Sequence, residues 1–273
     1  MTDVAERVAQ ARAVASPPHV ALELRDVHKR FGKTAIIRGA SLQVNAGERV
    51  ALIGPNGAGK STLFNLISGR FAPSSGEILL NGARIDGASP HRINRQGLAR
   101  SFQVSNLFTH LSVFENLRCA VLWSLGYRYA FWRFLSSLRD ANERAEQLLA
   151  MLRLERRRDV LAINLTYAEQ RALEIGLTIA GGADVVLLDE PTAGMSQSET
   201  RRFVQLIREV TAGKTLLTVE HDMGVVFGLA DRIAVLVYGE VIAFDTPAAV
   251  RANARVQEAY LGSVLAHAQG EGA

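Results

Sequence analysis

The sequence predicts an α/β fold in which parallel strands alternate with helices. Short apolar runs, typical of strands buried on both faces, recur at residues 49–53, 185–188, 215–219 and 233–238. Residues 198–210 place apolar side chains at helical spacing, which predicts an amphipathic helix between two of these strands. This alternation favours a core sheet with helices packed against it.

Composition and charge narrow the class of protein. The chain has 273 residues, enough for one large α/β domain or two smaller ones, and its 48% hydrophobic content is ordinary for a globular protein. The nearest candidate for a membrane span, residues 121–138, is interrupted by Arg128 and Arg133. Residues 1–16 lack the apolar core of a secretory signal, and the single cysteine, Cys119, fits a reducing compartment. The net charge of +4 indicates no particular partner.

The N-terminal half contains a second kind of strand. Residues 1–18 are predicted to be a flexible tail, which ends in a Ser-Pro-Pro sequence. Residues 20–27 and 36–44 then alternate apolar and polar side chains, and residues 77–80 are followed by an Asn-Gly turn. These patterns predict short antiparallel strands. Residues 111–160 are helix-permissive and rich in arginine, which predicts a helical insert within the α/β core.

A glycine-rich loop joins the predicted strand 49–53 to a helix-compatible stretch at residues 62–67. It matches the phosphate-loop pattern G-x-x-x-x-G-K-[ST], whose backbone N–H groups surround an anion while the new helix adds its positive end. Lys60 is expected to reach the β- and γ-phosphates, and the Ser61 hydroxyl is expected to bind Mg²⁺. The chain is therefore predicted to bind a nucleoside triphosphate. The expected contacts are Gly54, Pro55, Asn56, Gly57, Ala58, Gly59, Lys60, Ser61 and Thr62.

Two further strands bring acidic and imidazole groups toward the same place. The apolar run 185–188 ends in Asp189 and Glu190 at the carboxyl end of a strand, where ligands gather in open α/β sheets. Asp189 is expected to hold Mg²⁺ through water, and Glu190 to polarise the attacking water. The strand at residues 216–219 delivers His221 to the same edge, where a neutral imidazole suits the γ-phosphate.

At this point the chain resembles the ATPase subunits of ATP-binding-cassette (ABC) transporters, from about residue 20 to residue 262. Residues 188–195 resemble the Walker B segment and D-loop of that family, residues 218–223 its switch-histidine segment, and residues 101–103 its Q-loop. The resemblance implies a P-loop NTPase core with an antiparallel β subdomain and a helical insert.

The resemblance also implies boundaries and roles. The ATPase domain is expected to span residues 19–262, with a helical subdomain at about 104–178 and a C-terminal tail at 263–273. Gln103 is expected to sense the metal ion and the attacking water, and to couple the nucleotide to a partner. Phe31 stands where the family places an aromatic ring under the adenine, although a simple core role is an open alternative.

The family signature, Leu-Ser-Gly-Gly-Gln, is altered in this chain to Leu-Thr-Tyr-Ala-Glu at residues 165–169. The resemblance places Thr166, Ala168 and Glu169 at the γ-phosphate of a facing subunit. Tyr167 and Ala168 replace the two glycines, which requires that neither position needs a positive φ angle. Glu169 adds a negative charge near a triphosphate. The effect of these changes on ATP turnover is left open by the sequence.

Three further segments, at residues 111–117, 220–223 and 259–262, resemble ATPase subunits of branched-chain amino-acid importers. The function expected is hydrolysis of ATP with Mg²⁺ to energise such an importer, on the cytoplasmic face of the inner membrane. The expected partners are membrane permease subunits, a second ATPase subunit (the same or a sister chain) and, indirectly, a periplasmic solute-binding protein; no nucleic acid is expected.

Two alternatives stay open. One is the same ATPase with another cargo, such as urea or amides, other amino acids, or lipopolysaccharide for export. The other is a soluble ABC ATPase without a transport role. The aromatic and arginine-rich stretch at residues 121–139 fits a solvated helical face or a contact with membrane subunits.

Overall fold

The computed structural model describes residues 19–101, 107–127 and 137–259. In chain order its strands are β1 (Val20–Phe31), β2 (Thr34–Asn45), β3 (Arg49–Ile53), β4 (Ser75–Leu80), β5 (Ala83–Arg84), β6 (Leu98–Arg100), β7 (Val185–Asp189), β8 (Thr215–Val219), β9 (Arg232–Val237) and β10 (Glu240–Asp245). Its α-helices are α1 (Lys60–Ile67), α2 (Pro90–Arg95), α3 (Val113–Leu122), α4 (Arg139–Met151), α5 (Tyr167–Ala180), α6 (Gln197–Val210), α7 (Met223–Leu229) and α8 (Pro247–Ala252).

The core sheet has the strand order β10-β9-β3-β8-β7-β6. All of its neighbouring strands are parallel except the edge pair β9 and β10. The central strands β3, β7 and β8 are apolar almost throughout because both of their faces are buried, one against α1 and the antiparallel sheet and the other against helices. A continuous apolar run of this kind explains why the sequence predicts them closely. Leu52 and Asp189 both lie in register with Val219, so these three strands end at one edge.

A separate antiparallel sheet has the order β2-β1-β4-β5, which confirms the predicted type of pairing. Its first two strands are longer than predicted, at 12 residues each, and several irregularities interrupt their register. One irregularity lies between Leu24 and Val27, where Asp26 has a φ angle of 47°. Such bulges twist and bend the strands. Ile36 and Ile37 of β2 lie against Gly59, at the start of α1.

The region between β6 and β7 contains the predicted helices. α3, α4 and α5 bury one shared apolar cluster, with Leu117, Leu148 and Leu173 fully buried. Gly176 lets α5 approach the end of α4 closely, because a Cβ atom there would lie 2.3 Å from Leu152 Cδ1. The boundaries of a helical subdomain at residues 104–178 stay a prediction, and residues 128–136 of the insert lie outside the described part of the chain.

Two differences from the predicted elements have simple causes. Tyr238, predicted at the end of a strand, lies in the turn between β9 and β10 with a φ angle of 48°. The sequence prediction also lacks β5, β6, β10, α2, α7 and α8, which are all short and show no clear periodicity. In the described residues, no helix combines the length and the hydropathy needed to cross a membrane.

Candidate functional site: a phosphate loop facing an acidic strand end

The loop from β3 to α1 is compact because two glycines occupy places where a side chain would not fit. At Gly54 a Cβ atom would lie 2.0 Å from the Leu236 carbonyl oxygen, and at Gly59 it would lie 2.8 Å from Ile37 Cδ1. Their φ angles of 156° and 104° also favour glycine. The loop is therefore pressed between strand β9 of the core and strand β2 of the antiparallel sheet.

Lys60 opens helix α1 and is only 7% exposed. Its ammonium group donates to the carbonyl oxygens of Gly54 at 2.7 Å and Pro55 at 3.0 Å. Burial lowers the pKa of Lys60, while the negative charges of Glu190 and Asp189 act in the opposite direction. The loop that carries Lys60 follows β3, and β3 ends beside β8 and β7, so the loop lysine and the acidic strand end share one edge of the core sheet.

The remaining predicted loop residues differ in exposure. The exposed ones are Asn56, Gly57 and Ser61, while Thr62 is half-buried and Ala58 is buried. Ser61, in the first turn of α1, is therefore accessible to solvent.

Asp189 is held by a buried arginine. Arg100 Nη2 donates to Asp189 Oδ2 at 2.9 Å, and the two side chains are 9% and 1% exposed. Nη1 of the same guanidinium donates to Asn65 Oδ1 at 2.7 Å and to Ser68 Oγ at 2.9 Å. Burial lowers the pKa of Arg100, and the charge of Asp189 opposes that effect. The second carboxylate oxygen, Asp189 Oδ1, is buried and has no hydrogen-bond partner within the described residues.

Glu190 and His221 form a close pair at the same edge. His221 Nε2 lies 2.6 Å from Glu190 Oε1, and both side chains are partly exposed to solvent. The backbone amide of Glu190 donates to the Val219 carbonyl oxygen at 3.0 Å, which extends the pairing of β7 and β8 by one residue. The adjacent strand ends therefore deliver a carboxylate and an imidazole to one point, as the sequence predicts.

Glu220, next to His221, turns the opposite way and is 3% exposed. Its Oε1 accepts hydrogen bonds from the Thr192 hydroxyl at 3.0 Å and the Thr192 amide at 3.4 Å. Its Oε2 accepts from the His221 amide at 3.3 Å. Burial raises the pKa of Glu220, although these hydrogen bonds lower it in part.

The altered signature forms the start of helix α5. Thr166 is the N-cap, and Glu169 completes a capping box in which its carboxylate accepts from the Thr166 amide at 2.9 Å. Tyr167 and Ala168 lie inside the helix and are not among the residues with positive φ, so neither position requires glycine. Glu169 Oε1 also accepts from Arg157 Nε at 2.7 Å. Partial burial opposes ionisation of Glu169, but the hydrogen bonds from Arg157 and Thr166 outweigh it and lower its pKa.

Tyr167 connects the signature to the segment that follows Glu190. Its hydroxyl donates to the Ala193 carbonyl oxygen at 2.8 Å and accepts from Arg171 Nε at 3.0 Å. The tyrosine that replaces a signature glycine thus fastens the N-terminus of α5 to the turn after β7.

Two predicted site residues remain, Phe31 and Gln103, and the structure describes only the first of them. Phe31, at the end of β1, is 46% exposed and makes an edge-to-face contact with Phe71, with ring centroids 5.3 Å apart. The alternative of a simple core role for Phe31 is therefore wrong, because the ring faces solvent. Gln103 lies outside the described residues.

Comparison with known proteins identifies the family. The ABC transporter family matches residues 37–193, which is more than half of the chain. The chain belongs to the ATP-binding subunits of ABC transporters. A second family, described as branched-chain amino acid ATP-binding cassette transporter, matches residues 240–266 of this ABC subunit.

Curated relatives and solved structures agree with that assignment. The high-affinity branched-chain amino acid transport ATP-binding protein LivG of Escherichia coli is 36% identical over 250 residues, covering 88% of this chain and 97% of LivG. BraF of Pseudomonas aeruginosa, described in the same words, is 36% identical over 253 residues, with the same shares of the two chains. The crystal structure of an ABC transporter cassette in its ADP conformation superimposes with a TM-score of 0.78 at 26% identity, covering 89% of this chain and 99% of that one. This ABC subunit is thus an ATP-hydrolysing enzyme with the cassette fold.

The sequence prediction missed several residues of the site, and two of them could have been found from their position in the sequence. Arg100 and Glu220 are charged residues at the ends of apolar strand runs, at the same sheet edge as Asp189. A charge in that position is a candidate for a buried partner, because strand ends of a parallel sheet converge. Asn65, Ser68 and Thr192 carry no comparable signal, since only the packing of α1 and the turn after β7 brings them into contact.

Proposed function

We propose that this chain is the ATP-hydrolysing subunit of a bacterial importer of branched-chain amino acids. The observation that carries the ATPase site is that the loop with Lys60, Asp189 and the Glu190–His221 pair lie at the ends of adjacent strands, on one edge of the core sheet. The cargo is supported by the family match at residues 240–266 and by the names of LivG and BraF.

The loop residues bind the nucleotide in this proposal. Backbone N–H groups of residues 54–59 and the start of α1 surround the phosphates, and Lys60 moves its ammonium group from the loop carbonyls to the β- and γ-phosphates. Thr62 adds a contact in the first turn of α1. Phe31 stacks under the adenine ring, which its exposure at the end of β1 permits.

Ser61 and Asp189 are the proposed holders of Mg²⁺, together with Gln103. Asp189 Oδ1 is buried and has no hydrogen-bond partner in the described part of the chain, which fits this role because such an acceptor favours a bound water or a cation. Within the described residues, no three His, Cys, Asp or Glu side chains cluster as a metal site. Mg²⁺ does not need such a cluster, because it is usually bound by one or two protein ligands and otherwise by water and phosphate oxygens. The ion would neutralise charge that develops on the phosphate oxygens.

Glu190 and His221 act on the hydrolytic water. Glu190 polarises the water as a general base, and His221 hydrogen-bonds the γ-phosphate and helps to orient the nucleophile. The 2.6 Å contact between them holds both groups at the strand ends before a substrate arrives. Gln103 adds a contact to the water and the metal and transmits the state of the nucleotide to the membrane partner.

A second ATPase subunit, a sister chain or a copy of this one, completes each site. Thr166, Ala168 and Glu169 at the start of α5 face the γ-phosphate bound by that partner, where the positive helix end favours an anion. The charge of Glu169 is offset by Arg157, so the altered signature presents little net negative charge.

The ABC subunit works at a membrane in this proposal, bound to permease subunits on the cytoplasmic face of the inner membrane. A periplasmic solute-binding protein delivers the amino acid to those permeases without touching this chain. The uptake experiment below also tests the other cargoes that the sequence leaves open.

The Glu190→Gln variant tests the hydrolytic role. We expect steady-state ATP hydrolysis to fall by at least about 100-fold, because the general base is lost, while magnesium-ATP is still bound. Bound ATP should then favour a dimer that light scattering after size exclusion can detect. Exposed Glu240→Gln is the control and should hydrolyse ATP at the wild-type rate. Unchanged hydrolysis in Glu190→Gln would contradict the proposal.

Uptake assays test the cargo. We expect deletion of this chain from its host to abolish uptake of labelled leucine, isoleucine and valine, because every ATP site of the proposed dimer needs this chain on at least one side. Re-expression of the wild type should restore uptake, and re-expression of Lys60→Ala should not. Normal branched-chain uptake combined with loss of urea or another solute would assign a different cargo to the same ATPase.

A further inference from the structure

Glu220 is a buried acidic residue whose place in the fold is not explained by nucleotide chemistry. It is 3% exposed, and burying a carboxylate is costly unless its oxygens are hydrogen-bonded. All of the hydrogen bonds of its carboxyl group within the described chain go to two positions, Thr192 and His221. None of them goes to a basic side chain, so this is not a buried ion pair.

Both of these positions adjoin the hydrolytic pair. Thr192, which is 6% exposed, lies two residues after Glu190 within the turn that follows β7. His221 is a member of the pair, and the Glu220 carboxyl group holds its backbone amide. One carboxyl group therefore connects the chain segment carrying Glu190 to the chain segment carrying the imidazole.

The geometry at Glu190 shows why such a connection matters. Its φ angle of 48° is left-handed, a conformation that persists only where the surroundings fix it. The strand pairing holds the backbone on the N-terminal side, through Asp189 and the bond from the Glu190 amide to Val219. On the C-terminal side, the Ala193 amide donates to the Glu190 carbonyl oxygen at 3.1 Å, and the bonds from Thr192 to Glu220 tie the same turn to the strand end that carries His221.

We propose that Glu220 is a positioning residue of the hydrolytic site, which clamps Thr192 to the His221 strand end and thereby sets the Glu190–His221 contact. The inference rests on the proposed roles of Glu190 and His221. Glu220 does not touch the nucleotide; it acts through the two segments it joins.

Kinetics of the full chain with magnesium-ATP test the proposal. We expect Glu220→Ala and Thr192→Val to lower kcat by about 10- to 100-fold, since small displacements of catalytic groups have effects of that size. The KM for ATP should stay within about 2-fold, because the phosphate loop is untouched. Thr192→Ser keeps the hydroxyl and should regain most of the lost kcat, and the Glu220→Ala/Thr192→Val double variant should be no slower than the slower single variant.

Thr211→Val is the matched control. Thr211 is equally buried, at 1% exposure, and its hydroxyl bonds the Ile207 carbonyl oxygen at the end of α6, away from the site. The Thr211→Val variant should be less stable than the wild type and should keep the wild-type kcat. Equal kcat values for Thr211→Val, Glu220→Ala and Thr192→Val would overturn the proposal, as would a loss of kcat in Thr192→Ser as large as in Thr192→Val.

A spectroscopic readout separates this inference from the proposed function. In ¹H–¹⁵N spectra of the histidine side chains, the His221 ring signals should shift in Glu220→Ala and Thr192→Val and stay in place in Thr211→Val. Unshifted signals in the first two variants would overturn the clamp. If Glu190→Gln still hydrolyses ATP while these signals shift, the proposed function fails and the clamp stands.

Discussion

At Glu190 the chain adopts a left-handed backbone conformation although the residue carries a Cβ atom. Such a conformation costs about 1–3 kcal/mol and is found where the surrounding structure fixes it. The backbone turn separates two neighbouring carboxylates: Asp189 points into the buried contact with Arg100, and Glu190 points outward to His221. Neighbouring residues in sequence thus acquire different chemical environments.

The stability of the protein should depend on pH through Glu220. An unfolded glutamate has a pKa of about 4.5, and burial raises the pKa of Glu220 above that in the folded chain. Between pH 4.5 and the pKa of the folded chain, the folded state therefore binds a proton at Glu220 that the unfolded state has lost. The stabilisation that comes from this proton is complete below pH 4.5 and is lost as the pH rises through the folded pKa. The nearby charge of Glu190 acts in the same direction as burial.

Urea unfolding of the wild type and of Glu220→Gln at several pH values from about 5 upward measures this effect. The free energy of unfolding of the wild type should fall relative to that of the variant as the pH rises, because glutamine does not titrate. Parallel stability curves for the two proteins would contradict the raised pKa.

At the scale of elements, Arg100 joins three of them through one guanidinium. It extends from β6, pairs with Asp189 on β7, and hydrogen-bonds Asn65 on α1 and Ser68 at the C-cap of that helix. The helix that follows the phosphate loop is thereby tied to the strand that carries the acidic pair. One buried arginine therefore connects the two halves of the proposed nucleotide site.

The Arg100→Met variant tests that link. We expect it to lower the free energy of unfolding by about 3–5 kcal/mol, because it leaves Asp189 as an uncompensated buried charge. Chemical denaturation provides the measurement. The Arg100→Met/Asp189→Asn double variant removes both charges and should recover part of the loss; a double variant as unstable as the sum of the two singles would show that the pair is not the source of the effect.

The elements differ in how far the sequence predicts them. The central strands β3, β7 and β8 are predicted to within a residue because burial on both faces leaves a continuous apolar run. The short strand β6 is not predicted, since its three residues show no periodicity. Its position depends on pairing with β7, which lies far along the chain.

At the scale of the whole molecule, one turn joins the two sheets to the phosphate loop. Gly239 lies between β9 and β10, where its amide donates to the Ala58 carbonyl oxygen at 3.0 Å. Its own carbonyl oxygen accepts from the Arg38 amide of β2 at 2.9 Å. The antiparallel sheet, the core sheet and the nucleotide loop therefore meet at a single residue.

Gly239→Ala should loosen that junction. The φ angle of Gly239 is 84°, and a Cβ atom there would lie 2.2 Å from the Ile36 carbonyl oxygen, so β2 and the turn must separate. We expect a loss of stability well above the roughly 1–2 kcal/mol that a left-handed alanine costs by itself, together with weaker binding of magnesium-ATP in calorimetry.

The matched control is Gly213→Ala. Gly213 has a similar φ angle of 75°, but nothing lies within 4 Å of its Cβ position. The Gly213→Ala variant should lose only the stability that a left-handed alanine costs, and it should bind ATP as the wild type does. Equal effects of the two substitutions would mean that the junction at Gly239 does not support the loop.

The sequence by itself determined the α/β class, the central strands, the phosphate loop and the acidic strand end, because these depend on local patterns: burial periodicity, glycine placement and a fixed motif spacing. The tertiary structure alone decided which partners hold those groups. Arg100 reaches Asp189 across 89 positions of sequence, and Glu220 reaches Thr192 across 28. Such contacts arise from strand order and side-chain direction at the sheet edge, and no local pattern of residues encodes them.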